Sequence, residues 1–286
     1  MKKLIIIIIL ITAAGSLHVL AQRSVHEFSV YGGGGLSTLN YQLSSGNRNV
    51  GLGGDFGLGY TWCQSRERVT ATGAIFRENW GIYTGVGLGM YNAKAKLDAQ
   101  KTLTKNLTDN EGDQFEMLTS FDSYTEKQSA MFLSIPVMGQ FQIRQYYVMG
   151  GFKLAIPVNA KYSSKNATLA NEGYYIHCDN VIDAPEFQGF GTFARKNFDG
   201  TLDLGTTLML ALEGGMKWRL TGNFSLFTGV YFDYGLNNSF KGGNKSFIKY
   251  YPGEIADFST NSVLYVFADK VKMMAAGIKL RLSFEM

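Results

Sequence analysis

Nine charged residues, Asp55, Arg144, Lys153, Glu213, Lys217, Arg219, Asp233, Lys279 and Arg281, fall on the small or polar side of segments whose alternate side is apolar. Carboxylates, ammonium groups and a guanidinium held together in a narrow interior can line a path for ions, or they can pair and fill the space. An isolated buried charge is very costly, so such groups must pair or stay hydrated. Catalytic chemistry finds less to work with. His26 and His177 are far apart in the chain, and a hydrolase needs a base placed beside a nucleophile or a water. The glycine runs Gly32 to Gly35 and Gly51-Leu52-Gly53-Gly54 contain neither a G-x-G-x-x-G pattern opening a helix nor a P-loop lysine. Small residues lining a narrow interior account for them better. The spacing of Cys63 and Cys178 against the histidines gives no metal site. No enzymatic activity, cofactor or metal is expected.

The elements that must hold those charges have a side-chain period of two. Trp80, Ile82, Thr84, Val86, Leu88 and Met90 alternate with Gly81, Tyr83, Gly85, Gly87, Gly89 and Tyr91; Leu202, Leu204, Thr206, Leu208, Leu210 and Leu212 alternate with Asp203, Gly205, Thr207, Met209, Ala211 and Glu213. That period is a strand's. Eight segments follow it: Glu27 to Gly34, Gly51 to Trp62, Trp80 to Tyr91, Met131 to Arg144, Tyr146 to Asn159, Leu202 to Leu220, Phe224 to Gly235 and Met274 to Phe284. A large apolar outside around a small, polar or charged inside inverts a soluble lipocalin-like barrel, and lipid is the solvent that suits it. The fold expected is all-β, an eight-stranded antiparallel transmembrane β-barrel with long extracellular loops.

Lys2 and Lys3 precede the apolar run Leu4 to Ile11, and small residues lead to Val19-Leu20-Ala21 and Gln22. This is a secretory signal, with cleavage between Ala21 and Gln22. The run is about a dozen residues, short of the roughly 20 that a spanning helix needs. The division expected is therefore a signal peptide over 1–21 and one barrel domain over 22–286. Loss of Lys2 and Lys3 lowers the formal charge from +4 to +2, which does not call for nucleic acid. With 34 Gly, 4 Pro, 16 Tyr and 20 Phe the composition suits packed strands.

An even strand count leaves both ends of the barrel domain in the periplasm. The linkers near Gln145 and Thr221-Gly222-Asn223 are then periplasmic turns, and the long linkers 36–50, 96–129, 160–201 and 238–271 are external. Gln64 to Asn79 is overlong for a turn unless Val69 to Phe76 extends the flanking strands. Interface aromatics fit this order: Trp62, Trp80 and Trp218 fall at the periplasmic rim, and Tyr234 marks a sparser outer rim.

The stretches Asn79-Trp80-Gly81-Ile82-Tyr83-Thr84-Gly85, Leu133-Ser134-Ile135-Pro136-Val137, Tyr147-Val148-Met149-Gly150-Gly151-Phe152-Lys153, Tyr231-Phe232-Asp233-Tyr234-Gly235-Leu236-Asn237 and Gly277-Ile278-Lys279-Leu280-Arg281-Leu282-Ser283-Phe284 resemble the small outer-membrane β-barrels of the OmpA/OmpX and PorT-like group. The resemblance implies residence in the outer membrane of a Gram-negative-type envelope. It also implies outer-membrane lipid as surroundings and the outer-membrane insertion machinery as a partner during biogenesis, reading a last strand with Phe284 as its aromatic. Glu285 and Met286 follow that aromatic, a slight departure. The peptidoglycan-binding domain of many OmpA relatives is not carried over.

Cys63 falls at the periplasmic end and Cys178 in the third outer loop, across an apolar band of about 25 Å, so a disulfide between them is not expected. The second loop is acidic, with Asp98, Asp109, Glu111, Asp113, Glu116, Asp122 and Glu126 against four lysines. The third carries Tyr162, Tyr174, Tyr175, Phe187, Phe190, Phe193 and Phe198, which are expected to pack on neighbouring loops; an extracellular ligand is the alternative. The interior of eight strands is one that side chains can fill, so the charges are read as a salt-bridge plug. The role expected is structural or surface-interacting, with a narrow diffusion pore, or an accessory of outer-membrane assembly or secretion, as alternatives.

Overall fold

A computed structural model of the chain describes residues 23–69, 75–243 and 245–286. The expected signal peptide over 1–21, with its cleavage site between Ala21 and Gln22, lies outside the described residues. Fifteen strands run in chain order: β1 Arg23–Asn40, β2 Asn47–Val50, β3 Leu52–Val69, β4 Ile75–Leu97, β5 Gln100–Thr108, β6 Gln114–Phe121, β7 Tyr124–Ile143, β8 Tyr146–Tyr175, β9 Asn180–Ile182, β10 Gly191–Thr201, β11 Thr207–Arg219, β12 Phe224–Gly235, β13 Ile248–Tyr251, β14 Asp257–Thr260 and β15 Lys272–Glu285. Antiparallel pairing joins β11-β12-β15-β1-β3-β4-β7-β8 in order, and β8 pairs back onto β11. The eight form a closed ring with no free edge. β1, β4, β8, β12 and β15 contain whole alternating segments of the sequence; β3 and β7 fall one residue short, at Gly51 and Arg144, and β11 covers only Thr207 to Arg219, with Leu202 and Leu204, expected on the outward face, buried ahead of it in irregular chain.

Alternation sets the two faces. On β4, Trp80, Ile82, Val86 and Met90 are exposed outward while Tyr83 and Tyr91 are buried. The same holds for Phe28 and Val30 against Tyr31 on β1, and for Leu280 and Leu282 against Lys279 and Arg281 on β15. From Trp80 to Met90 the outward belt covers about 33 Å of strand, or about 25 Å once tilted by roughly 40°.

The connections differ sharply at the two ends. At one end lie the Arg144-Gln145 turn, the turn 220–223, the β3–β4 hairpin whose last pair is Val69 and Ile75, and the β1–β15 pairing of Glu27 with Glu285. Val69 and Ile75 thus do extend the flanking strands. At the other end the long linkers fold into a cap. β8 is its mast: its first half pairs β7 and β11 in the ring, and its second half carries β6 on one edge and β10 and β9 on the other. The cap has its own core, including Leu97, Phe115, Met117, Tyr124, Leu169, Phe190, Phe247 and Val263. Of the third-loop aromatics, Tyr175, Phe190 and Phe198 are buried there, Tyr162 is buried in a second cluster, and Phe187 is exposed. That second cluster joins the ring interior to the cap, bringing Leu264 and Tyr265 of a single helical turn, Leu264–Phe267, together with Tyr91, Phe132, Met209, Tyr231 and Met273.

Candidate functional site

Inward positions of six strands converge on the axis of the ring. β1 supplies Glu27, β3 Asp55, β8 Lys153, β11 Glu213 and Lys217, β12 Asp233, and β15 Lys279 and Arg281, and all eight are buried. The strand registers stack them as a ladder. Nearest the short-turn end, Lys217 pairs with Glu27. Next, Arg281 Nη2 lies 3.3 Å from Glu213 Oε1, which also accepts a hydrogen bond from the Tyr147 hydroxyl at 3.0 Å. Lys279 bridges Asp55 at 3.2 Å and Glu213 at 3.3 Å. Toward the cap, Lys153 Nζ donates to Asp233 Oδ2 at 2.5 Å.

Four carboxylates face four cations, so the ladder is neutral. That balance makes its burial tolerable. Aromatic rings supply the rest: Arg281 sits 4.3 Å from the Phe227 ring centre and 4.9 Å from that of Tyr83, and Lys279 lies 4.7 Å from Tyr231 and 5.0 Å from Tyr31. Arg281 Nε and Nη1 have no hydrogen-bond acceptor among the described residues. The ring faces around the guanidinium compensate in part, since a desolvated cation over an aromatic face gains up to about 2 kcal/mol. Two inward glycines make room for these rings: a Cβ at Gly87 would collide with the Tyr31 hydroxyl, and one at Gly229 would lie 2.5 Å from that of Tyr147.

Two of the nine expected inward charges are not there. Arg144 sits in the β7–β8 turn with φ of 54°, where strand alternation has ended, and it is exposed. Arg219 closes β11 two residues beyond Lys217, still in register with Ser225 but past the last salt bridge, and is exposed too. Asp55, Lys153, Glu213, Lys217, Asp233, Lys279 and Arg281 are brought together. Glu27 was missing from the expected set, although the parity set by outward Phe28 and Val30 puts it inside. Glu126 belongs not to a solvated acidic loop but to the cap interior. It is fully buried and accepts hydrogen bonds from Ser262 Oγ at 2.5 Å, Gln128 Nε2 at 2.8 Å and Val263 N at 3.0 Å.

The aromatics of the short-turn rim are where alternation puts them. Trp80 contacts Phe141 with ring centres 4.4 Å apart, Phe284 packs on Phe224 at 5.2 Å, and Trp218 Nε1 donates to Thr228 Oγ1 at 2.9 Å. Trp62 pairs across from Ile82 on the same outward face. Tyr234 is half-buried near the opposite rim, with Lys272 Nζ 5.1 Å from its ring centre.

Cys63 is buried, Cys178 is exposed, and both are free. His26 Nδ1 contacts the Tyr60 hydroxyl at 2.7 Å near the short-turn end, while His177 stacks edge-on against Tyr175 at the cap. The histidines therefore sit at opposite ends of the molecule. Among the described residues no group of three or more His, Cys, Asp or Glu is arranged to hold a metal ion.

Comparison with curated proteins finds no match. Residues 21–241 match the family described as "Outer membrane protein beta-barrel domain", a span that takes in seven of the eight ring strands. With the alternating ring and this match over most of its length, the chain belongs to the outer membrane protein beta-barrel domain family.

Proposed function

We propose that the chain crosses the outer membrane as an eight-stranded transmembrane β-barrel of the OmpA/OmpX and PorT-like kind, closed to ions, non-enzymatic, and structural or surface-interacting in role. The short turns and chain ends face the periplasm and the cap faces outward, with β15 as the strand read by the insertion machinery. The observation that carries the reading is the neutral ladder across the interior, in which every carboxylate faces a cation. A conducting pore gains from unpaired wall charges that exchange with passing ions, whereas here each carboxylate has a cation within salt-bridge reach.

The cap supports a surface role. It has its own core, yet leaves Ile176, Val181, Phe187 and Ile255 exposed, and apolar side chains on a folded extramembrane surface are the material of protein contacts. Conductance across a planar lipid bilayer tests the proposal. The refolded protein is expected to give no stable single-channel steps; large, persistent steps that change with Lys153→Glu would establish a diffusion pore instead.

A further inference from the structure

We infer that the outer face of the sheet just above the apolar belt binds the phosphate group of an outer-leaflet lipid. This rests on the membrane reading above. Along β4, β7 and β8 the outward apolar residues end at Met90, Met131 and Val158. Beyond Asn159, which lies opposite Met131, the next outward positions are Asn92, Ser129 and Lys161, followed by Lys94, Lys127 and Ser163, about 6–13 Å past Met90 and Met131 along their strands. These residues, with Asp199 and Thr201 of β10, line a groove of about 570 Å³.

The register makes the groove unusual. Lys94 lies directly opposite Lys127, and Lys161 lies opposite Ser129, itself the partner of Asn92. Like charges directly opposite on neighbouring strands repel and destabilise a sheet, and no salt bridge joins any of the three lysines to a carboxylate among the described residues. Asp199 is the one acid in the lining and leaves it at net +2. Glu126, next in sequence to Lys127, points through the sheet to the buried side. A phosphate carrying up to two negative charges, set between Lys94, Lys127 and Lys161, removes the repulsion and gains charge-assisted hydrogen bonds. The Asn92, Ser129, Ser163 and Thr201 side chains flank it. A lipid, rather than a free anion, is the occupant because the groove opens onto the apolar belt: a phosphate at the lysines places acyl chains along Met90, Met131 and Val158.

The test uses the full-length mature chain, refolded in zwitterionic detergent and checked for insertion into phosphatidylcholine vesicles. Native mass spectrometry then measures retention of diphosphoryl lipid A, of the same lipid dephosphorylated, and of inorganic phosphate. The combined variant Lys94→Gln, Lys127→Gln and Lys161→Gln changes exposed side chains only; Lys101→Gln, Lys105→Gln and Lys249→Gln is the matched control elsewhere on the cap. Phosphate-dependent retention that falls at least tenfold in the first variant, and not in the control, is expected. Equal retention by the first variant and wild type, equal retention of the dephosphorylated lipid, or inorganic phosphate binding as tightly as lipid would each overturn the assignment. A wild-type protein that inserts but retains no phosphorylated lipid sinks this inference alone, whereas failure to insert removes the membrane reading beneath it.

Discussion

Glu213 holds the middle of the ladder, since it meets Arg281, Lys279 and the Tyr147 hydroxyl at once. Removing one partner of a buried pair leaves a charge without compensation at a cost of about 3–5 kcal/mol, whereas removing both partners leaves a cavity without an orphaned charge. Glu213→Ala is therefore expected to destabilise the folded protein by that amount, and Glu213→Ala with Arg281→Ala by less than the sum of the two single changes. Urea unfolding from lipid vesicles, read as a double-mutant cycle, measures the coupling; strict additivity would show that the pair does not act as one. The outward side obeys a different rule, set by depth. Leu212 pairs with Gly150 and Phe232 near the middle of the belt, while Leu208 lies at its far rim beside Leu154. Leu212→Lys should cost about 2–4 kcal/mol and Leu208→Lys about 0–1, with Thr207→Ser, one position from Leu208 but inward and buried, near 1. Equal and small effects of the two lysines would mean that the belt does not face lipid.

At the scale of elements, the ring strands could be read from the sequence and the cap could not, for a reason visible on β8. Through Leu154, Ile156 and Val158 the large apolar residues point outward; from Tyr162 to Leu169 it is the buried inner side that is apolar, while Lys161, Ser163 and Lys165 face out. β4 makes the same switch, with Ala93, Ala95 and Leu97 inside and Lys94 and Lys96 outside. A search for strands greasy on the outside stops where the solvent changes, so these strands ended too early and their upper halves passed as loop. The seven charges that the structure buries together follow from the same parity that gives Glu27, while Arg144 departs because turn geometry ends the alternation and Arg219 because it ends its strand beside the 220–223 turn, past the last salt bridge. Glu126 was hidden by its acidic neighbours in sequence, although it is the clasp that holds the helical turn to β7. It lies beyond Met131, outside the apolar belt. Burial raises its pKa from the usual carboxylate range to about 7, against the opposing effect of hydrogen bonds from Ser262, Gln128 and Val263. Tyr124, Tyr162 and, through Gln128, Tyr41 surround it, with Arg48 5.8 Å from the Tyr41 ring centre. Since the docked state binds the proton more tightly than the undocked one, docking is strongest below about pH 4.5 and weakens as pH rises to 7, then levels off. Amide exchange over Val263 to Phe267, corrected for intrinsic rates, should show at least about tenfold greater protection at pH 5.5 than at 8.5. Glu126→Gln should flatten that dependence; if the slope survives the substitution, another group titrates.

On the closed reading proposed above, the whole molecule places two seals one behind the other. The apolar cluster of Leu264 and Tyr265 with Tyr91, Met209 and Tyr231 fills the mouth, and the neutral ladder from Lys153 to Glu27 fills the shaft below. Barriers in series add, so opening one leaves the other to stop the current. A variant with residues 245–268 replaced by a short Gly/Ser linker is expected to stay closed in a planar bilayer, because the ladder remains. A variant thinned in complete pairs, Lys153→Ala with Asp233→Ala and Glu213→Ala with Arg281→Ala, leaves Lys279 with Asp55 and Lys217 with Glu27 and should also stay closed behind the intact mouth. Pairs are removed together so that a fall in conductance or yield cannot be blamed on an orphaned charge. Only the two changes combined should give resolvable steps, and those should be small, since the shaft of an eight-stranded barrel is barely wider than the side chains that fill it. Stable steps from the linker variant alone would mean that ions pass the ladder. In that case the shaft would be the conducting path, the cap its gate, and the protein a regulated pore.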